Sequence, residues 1–139
     1  MDVSNALQQT TTVPTDLEVL RRHPAEPTSR PPLVFVHGAW HAAWCWDEHF
    51  LPWFAAAGYA AIALSLRGHG GSPSRHGRNH HRVRDYVDDV RTVVASLKVP
   101  PVLIGHSMGG AVVQRLLTGI APPSLAGAAL LASVPPREP

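Results

Sequence analysis

The segment Gly105-His106-Ser107-Met108-Gly109 constrains this chain more than any other. A short apolar run, Val102-Leu103-Ile104, leads into it, and the helix-like Ala111-Val112-Val113-Gln114-Arg115-Leu116-Leu117 leads away. Gly-x-Ser-x-Gly between a strand and a helix is the pattern of a nucleophile elbow, a turn sharp enough to lift a serine hydroxyl clear of the sheet. Gly105 and Gly109 fall where backbones crowd in such a turn and a side chain has no room. The pattern predicts a nucleophile at Ser107; the plainer reading is a glycine-rich turn in which Ser107 caps the following helix.

An elbow needs a parallel sheet beneath it, and the rest of the chain is patterned for one. Leu33-Val34-Phe35-Val36 is a continuous apolar run, as in a strand buried on both faces. Residues 44–57 read as one helix stopped at Gly58, and residues 59–64 as the next strand. From Val83, apolar residues at Tyr86, Val87, Val90, Val93, Val94 and Leu97 recur at helical spacing, with Asp85, Asp88, Asp89 and Arg91 on the other face. A strand over 102–104, a helix over 108–118 and a strand over 126–132 follow. This alternation predicts an α/β fold, a three-layer α/β/α sandwich with a mostly parallel sheet and right-handed crossovers. Residues 17–21 read as an edge strand. Residues 1–16, polar and threonine-rich, read as a flexible tail ahead of a domain over 17–139. The four prolines within 23–32 and the turn-rich stretch 67–81 read as loops.

At 139 residues, with 45% apolar and 16% charged residues, the chain reads as one soluble domain. A net charge of +2 implies no general attraction to polyanions. Arg75, Arg78, Arg82 and Arg84 interleave with His76, His80 and His81, yet no aromatic platform or complete ligand set accompanies them. A solvated loop is expected rather than a nucleic-acid or metal site. Cys45 is the one cysteine, which excludes an internal disulfide and suits a reducing, cytoplasmic setting. The first ten residues lack the basic start and apolar core of a signal peptide, and the mostly apolar stretch 53–66 is too short to cross a bilayer.

Three ordered segments closely resemble the α/β-hydrolase superfamily. They are Phe35-Val36-His37-Gly38-Ala39-Trp40-His41-Ala42-Ala43-Trp44-Cys45-Trp46, Leu66-Arg67-Gly68-His69-Gly70-Gly71-Ser72, and Ile104 through Gly110 around the elbow. The first is most similar to the branch holding serine esterases and plant-type hydroxynitrile lyases; the second is similar to lysophospholipase-like and peroxidase-like members. The resemblance implies carboxylic ester or related acyl hydrolysis of a small-molecule substrate by Ser107, with no metal or organic cofactor. It also implies an oxyanion hole from the backbone amides of Ala39 and Met108, with His37, Gly38, Gly105, His106 and Gly109 shaping the elbow and the neighbouring loop. Acyl transfer builds negative charge on the carbonyl oxygen, which fixed donors at a helix N-terminus stabilise.

A serine hydroxyl also needs a general base and an acid to orient that base, which this family supplies in the order Ser, Asp or Glu, His. After Ser107 the chain has no histidine and no aspartate, and its one carboxylate side chain is Glu138, expected to be solvated. The chain therefore reads as an amino-terminal half lacking the lid and the later strands. His37, His69 and His106 read as packed or loop-shaping rather than as bases, because a base must reach the hydroxyl. His41 and His49 read as partly exposed helix residues. Trp40 is a candidate for an acyl pocket, whereas Trp44, Trp46, Trp53 and Cys45 read as core. Two other readings stand beside catalysis. One is a non-catalytic fragment acting through a partner chain or through self-association at the uncovered apolar strand over 126–132; the other is a polyanion-binding module built on the arginine loop.

Overall fold

Short runs of aliphatic and β-branched residues, bounded by turns, make a pleated sheet that helices cover. In a computed structural model of the protein, which describes residues 7–12, 16–74 and 80–136, the elements run in the order β1 (Leu7–Thr12), β2 (Glu18–His23), β3 (Leu33–Val36), α1 (Trp44–Asp47), α2 (Phe50–Ala56), β4 (Ala61–Leu64), α3 (Val83–Ala95), β5 (Val102–His106), α4 (Met108–Thr118) and β6 (Gly127–Leu131). The strands form one sheet, ordered β1-β2-β4-β3-β5-β6. β4, β3, β5 and β6 are parallel, whereas β2 runs antiparallel to both β4 and β1.

Side chains of the central strands alternate between two cores, as the two-residue period of a strand requires. Val34, Val36, Ile62, Leu64 and Leu103 pack with Val90, Val93, Val112, Val113 and Leu116 from α3 and α4. On the opposite face Leu33, Phe35, Ala61, Ala63 and Ile104 pack with Trp46 and Leu51 from α1 and α2. The two alanines of β4 leave room for large rings: Phe35 and Trp46 meet there with centroids 5.0 Å apart. Each fully buried aliphatic or aromatic side chain is worth roughly 1.5–3 kcal/mol, so the sheet is held from both sides and the layers number three.

Several elements depart from the sequence expectation. Residues 7–12, read as part of a flexible tail, form β1 in antiparallel register with β2, Leu7 opposite His23 and Thr12 opposite Glu18. Three of the six are threonines, which favour extended backbone without any apolar period to mark it. β2 is consequently an inner strand, not the edge strand expected. The helix read over 44–57 is two helices, because Pro52 has no N–H to offer Glu48 and its ring would crowd that carbonyl. Only Trp46 of the tryptophans expected in the core is buried; Trp44 and Trp53 are exposed. Cys45 is half-buried, which pushes its thiol pKa up.

Asp89, assigned to the solvent face of its helix, is 4% exposed. Its carboxylate takes the Arg67 guanidinium at 2.8 and 3.0 Å and the Arg67 backbone N–H at 2.9 Å, tying the loop after β4 to α3. Donating these hydrogen bonds to the Asp89 carboxylate raises the Arg67 pKa further. β6 differs in kind from the other strands of the parallel set: it lies at the sheet edge, with Leu130 45% exposed and Leu131 38% exposed. Arg75, His76, Arg78 and Glu138 lie outside the described residues.

Removing one member of a buried ion pair strands the other, at a cost of about 3–5 kcal/mol. Asp89→Ala should therefore lose about that much unfolding free energy in urea titrations, and Arg67→Met combined with Asp89→Ala should recover a substantial part of it.

Candidate functional site

Strand β5 ends at His106 and α4 begins at Met108, so the whole change of direction falls on Ser107. Its backbone stands at φ 54° and ψ −119°, a conformation that costs a residue with a Cβ about 1–3 kcal/mol. The surroundings enforce it. A Cβ on Gly105 would stand 2.6 Å from the Gly109 carbonyl oxygen, and one on Gly109 would run into the carbonyl oxygens of Val36 and His37. The first turn of α4 thus lies directly on the end of β3. Ser107 N–H donates to the Leu131 carbonyl at 3.1 Å, and the Ser107 carbonyl accepts from Gly110, Ala111 and Val134 at 3.0, 3.3 and 3.2 Å. The bonded amides of the helix begin at Gly110, which leaves the amides of Met108 and Gly109 ahead of the ladder, at the positive end of the helix dipole.

The second wall comes from the chain leaving β3. A Cβ on Gly38 would lie 3.1 Å from Ser107 Cβ and 3.2 Å from the His106 carbonyl oxygen, so this loop abuts the serine. His41 N–H donates to the Gly38 carbonyl at 3.4 Å, closing a turn that presents Ala39 and Trp40 to solvent. Trp40 is 95% exposed and has φ 65°. Gly38, Gly105, Ser107, Met108 and Gly109, all singled out by sequence, therefore meet at the carboxyl ends of β3 and β5, where open α/β sheets hold their ligands.

The histidines have different work. His37 is fully buried; its Nε2 accepts the Leu66 N–H at 3.0 Å, so the proton sits on Nδ1, which donates to the Gly38 carbonyl at 2.7 Å. Burial, with the nearby His69 and His41, lowers its pKa to about 4 against the opposing pull of the Gly38 carbonyl. Neither nitrogen is left for Ser107. His106 stacks on His41 with centroids 6.3 Å apart and meets Trp46 edge-on at 6.4 Å. His69 sets Nδ1 3.0 Å from the Arg67 carbonyl, its ring between His37 and Tyr86. His81 places Nε2 2.8 Å from Ser74 Oγ. His49 and His41 are exposed. Among the described residues there is no cluster of three or more metal-ligating side chains.

Sequence reasoning gave no role to Glu18, Ser65 and Ser72, which are hydrogen-bonded to one another and, through Ser65, to Ala43 N–H. Ser65 and Ser72 are buried, and Ser65 sits at the end of an otherwise apolar run, the one local sign that its hydroxyl has a fixed partner. Other grooves open away from this turn. One of about 380 Å³, lined by Arg91, Leu97, Lys98, Pro101 and Pro123, lies at the amino ends of the strands; another of about 320 Å³ is lined by His49, Phe50, Trp53 and Phe54.

Residues 33–139 match the alpha/beta hydrolase family. A non-heme chloroperoxidase of Streptomyces lividans is 39% identical over 108 residues, which are 76% of this chain and 37% of that protein. Protein phosphatase methylesterase 1 of Bos taurus is 31% identical over 104 residues, 73% of this chain and 27% of its own length. Among solved structures, an epoxide hydrolase from an endophytic Streptomyces superposes with a TM-score of 0.71 at 25% identity, covering 91% of this chain and 37% of that one. The chain spans less than two fifths of the length of each.

The buried neutral His37 makes stability depend on acid. Its folded pKa is below that of a free imidazole, so as the pH falls past about 6.5 the unfolded chain takes the proton first. Its contribution should be complete above that pH, decline by about 1.4 kcal/mol per pH unit on acidification, and level off near the folded pKa. Urea titrations between pH 7 and pH 4 should show this slope, and His37→Gln should flatten it.

Proposed function

The chain belongs to the α/β-hydrolase family, and on that footing we propose that Ser107 is the nucleophile of a carboxylic ester or related acyl hydrolysis, with the amides of Ala39 and Met108 receiving the oxyanion. The observation that carries this reading is the Ser107 backbone at φ 54° and ψ −119° between β5 and α4. Nothing in packing alone favours a serine in a conformation that glycine would adopt without cost; display of the hydroxyl does.

In the proposed reaction Ser107 Oγ attacks the acyl carbon while a base accepts its proton. The carbonyl electrons move to oxygen, where the two amides and the dipole of α4 meet the charge. Collapse expels the alcohol, which takes up the proton, and water then releases the acid from the acyl-serine by the same steps. His37 is bonded at both nitrogens, and no hydrogen bond joins His106 or His69 to Ser107 among the described residues. We place the base and its orienting acid outside the described residues, in further chain or in an associated polypeptide. The substrate is a small acyl compound, and no metal or organic cofactor enters the steps.

Association has its own support. The outer edge of β6, with Leu130 and Leu131 part-exposed, lacks a neighbouring strand among the described residues, and pairing two such edges would cover them. No described helix is long and apolar enough to cross a membrane, and the free thiol of Cys45 suits a reducing compartment, for which we propose the cytoplasm.

A fluorophosphonate reagent followed by peptide mass analysis tests the nucleophile. The adduct should fall on Ser107, form slowly without a base, accelerate when imidazole is added to serve as one, and vanish in Ser107→Ala. No adduct on Ser107 with imidazole present, or an unchanged adduct in the alanine variant, would overturn the reading.

A further inference from the structure

The loop between β3 and α1 is fastened at both ends to two consecutive residues, Ser65 and Leu66, which follow β4. At its start, Leu66 N–H donates to His37 Nε2 at 3.0 Å. At its end, Ala43 N–H donates to Ser65 Oγ at 3.0 Å, so a side chain from the segment after β4 holds the start of α1 where Ala43 has none to offer. Only residues 38–42 lie between the two fastenings, and Ala39 is among them. The Ser65 hydroxyl in turn donates to Glu18 Oε1 at 2.6 Å.

Glu18 is itself held from several directions. Its Oε1 accepts the Gly71 N–H at 3.2 Å, its backbone N–H donates to Ser72 Oγ at 2.9 Å, and its carbonyl accepts the Ser65 N–H at 2.9 Å. Ser72 Oγ donates to the Ser65 carbonyl. The glycine pair before Ser72 is shaped to admit this carboxylate. Gly70 has φ 51°, and a Cβ there would stand 2.8 Å from both Glu18 Oε1 and Ser65 Oγ and 2.9 Å from Ala42 Cβ. A Cβ on Gly71 would lie 2.5 Å from Glu18 Oε2. A polar chain of this kind, saturated by fixed partners, has one geometry.

We propose that Glu18 is a positioning residue for the oxyanion donor at Ala39, acting through the Ser65 hydroxyl to hold the far end of the loop while His37 holds the near end. This rests on the catalytic reading of Ser107. The chemistry favours a carboxylate: it has no proton to give, so the Ser65 proton must point toward it, which leaves the Ser65 lone pairs for Ala43 N–H. A donor displaced by about 1 Å can lose on the order of a hundredfold in rate.

Two readings of the same variants test this. In native-state hydrogen exchange, Ser65→Ala and Glu18→Ala should speed exchange at both Ala43 and His41 by about fivefold or more, the equivalent of one lost hydrogen bond, while Phe35 and Ile104 in the central ladder keep their protection. Glu18→Gln, whose amide oxygen still accepts from Ser65, should stay near the parent. In fluorophosphonate labelling with imidazole, Ser65→Ala should lower the maximal rate of Ser107 modification by roughly 10–100-fold at an unchanged half-saturating reagent concentration, with Glu18→Gln restoring most of it. Unchanged exchange at His41, or a shift in half-saturation alone, would overturn the proposal. If Ser65→Ala also loses ladder protection, Glu18→Ala compared with Glu18→Gln decides by the same two criteria. Failure of the parent chain to label at Ser107 would sink the catalytic reading, and the exchange measurement would still decide whether the clamp orders the loop.

Discussion

The first turn of α4 lies against the carbonyl end of β3 with no side chain between them, and this contact fixes the relation of every other part of the site. Gly109 touches the carbonyls of Val36 and His37, and Gly105 touches the Gly109 carbonyl. Interiors are close-packed, so an added methyl group cannot be absorbed by neighbouring backbone. With the helix so close, the single residue left between β5 and α4 has to turn the chain by itself. The unusual backbone of Ser107 is the result, and the hydrogen bonds of its carbonyl to Gly110, Ala111 and Val134 keep it there.

The same closeness determines which histidines can act. His37 emerges from the end of β3 into a fully buried place, where charge is costly, and it answers by staying neutral with both nitrogens bonded. Its role is architectural: it joins the loop after β3 to the loop after β4. Ser65 makes the parallel connection one residue earlier, and Arg67 one residue later, through Asp89. Three successive residues after β4 thus tie the loop beside Ser107 and helix α3 to one short segment. The carboxyl end of the sheet is thus cross-linked beside the amides proposed as oxyanion donors, while Ala39 and Trp40 stand exposed.

What was legible in the sequence was local. The strand-to-helix turn at Ser107, the apolar run of β3 and the helical stripes of α3 and α4 are written in spacings of two to four residues, and the structure follows them. Three ordered segments carried the family. Other features depend on partners far away in the chain. β1 is polar, and its strand shows only as backbone pairing to β2. Asp89 sits beside Val90 and three residues from Tyr86, at the border of the apolar stripe, but its burial follows from Arg67, 22 residues earlier. Glu18 and Ser65 are 47 residues apart, with no local pattern linking them. The break between α1 and α2 was readable at Pro52, where the missing N–H and the ring act four residues back. Trp44 and Trp53 show the limit of composition, since hydrophobicity alone does not say which side of a helix meets the sheet.

On the proposed reading, Ser107 is held in a strained backbone for the sake of its hydroxyl. Comparing the unfolding free energies of Ser107→Gly and Ser107→Ala tests it most directly, because neither variant has the hydroxyl and only glycine relieves the strain. Strain of about 1–3 kcal/mol should outweigh the chain-entropy cost of glycine, about 0.5–1 kcal/mol. The glycine variant should therefore be the more stable of the two by about 1 kcal/mol. A glycine variant less stable than the alanine variant would contradict the account.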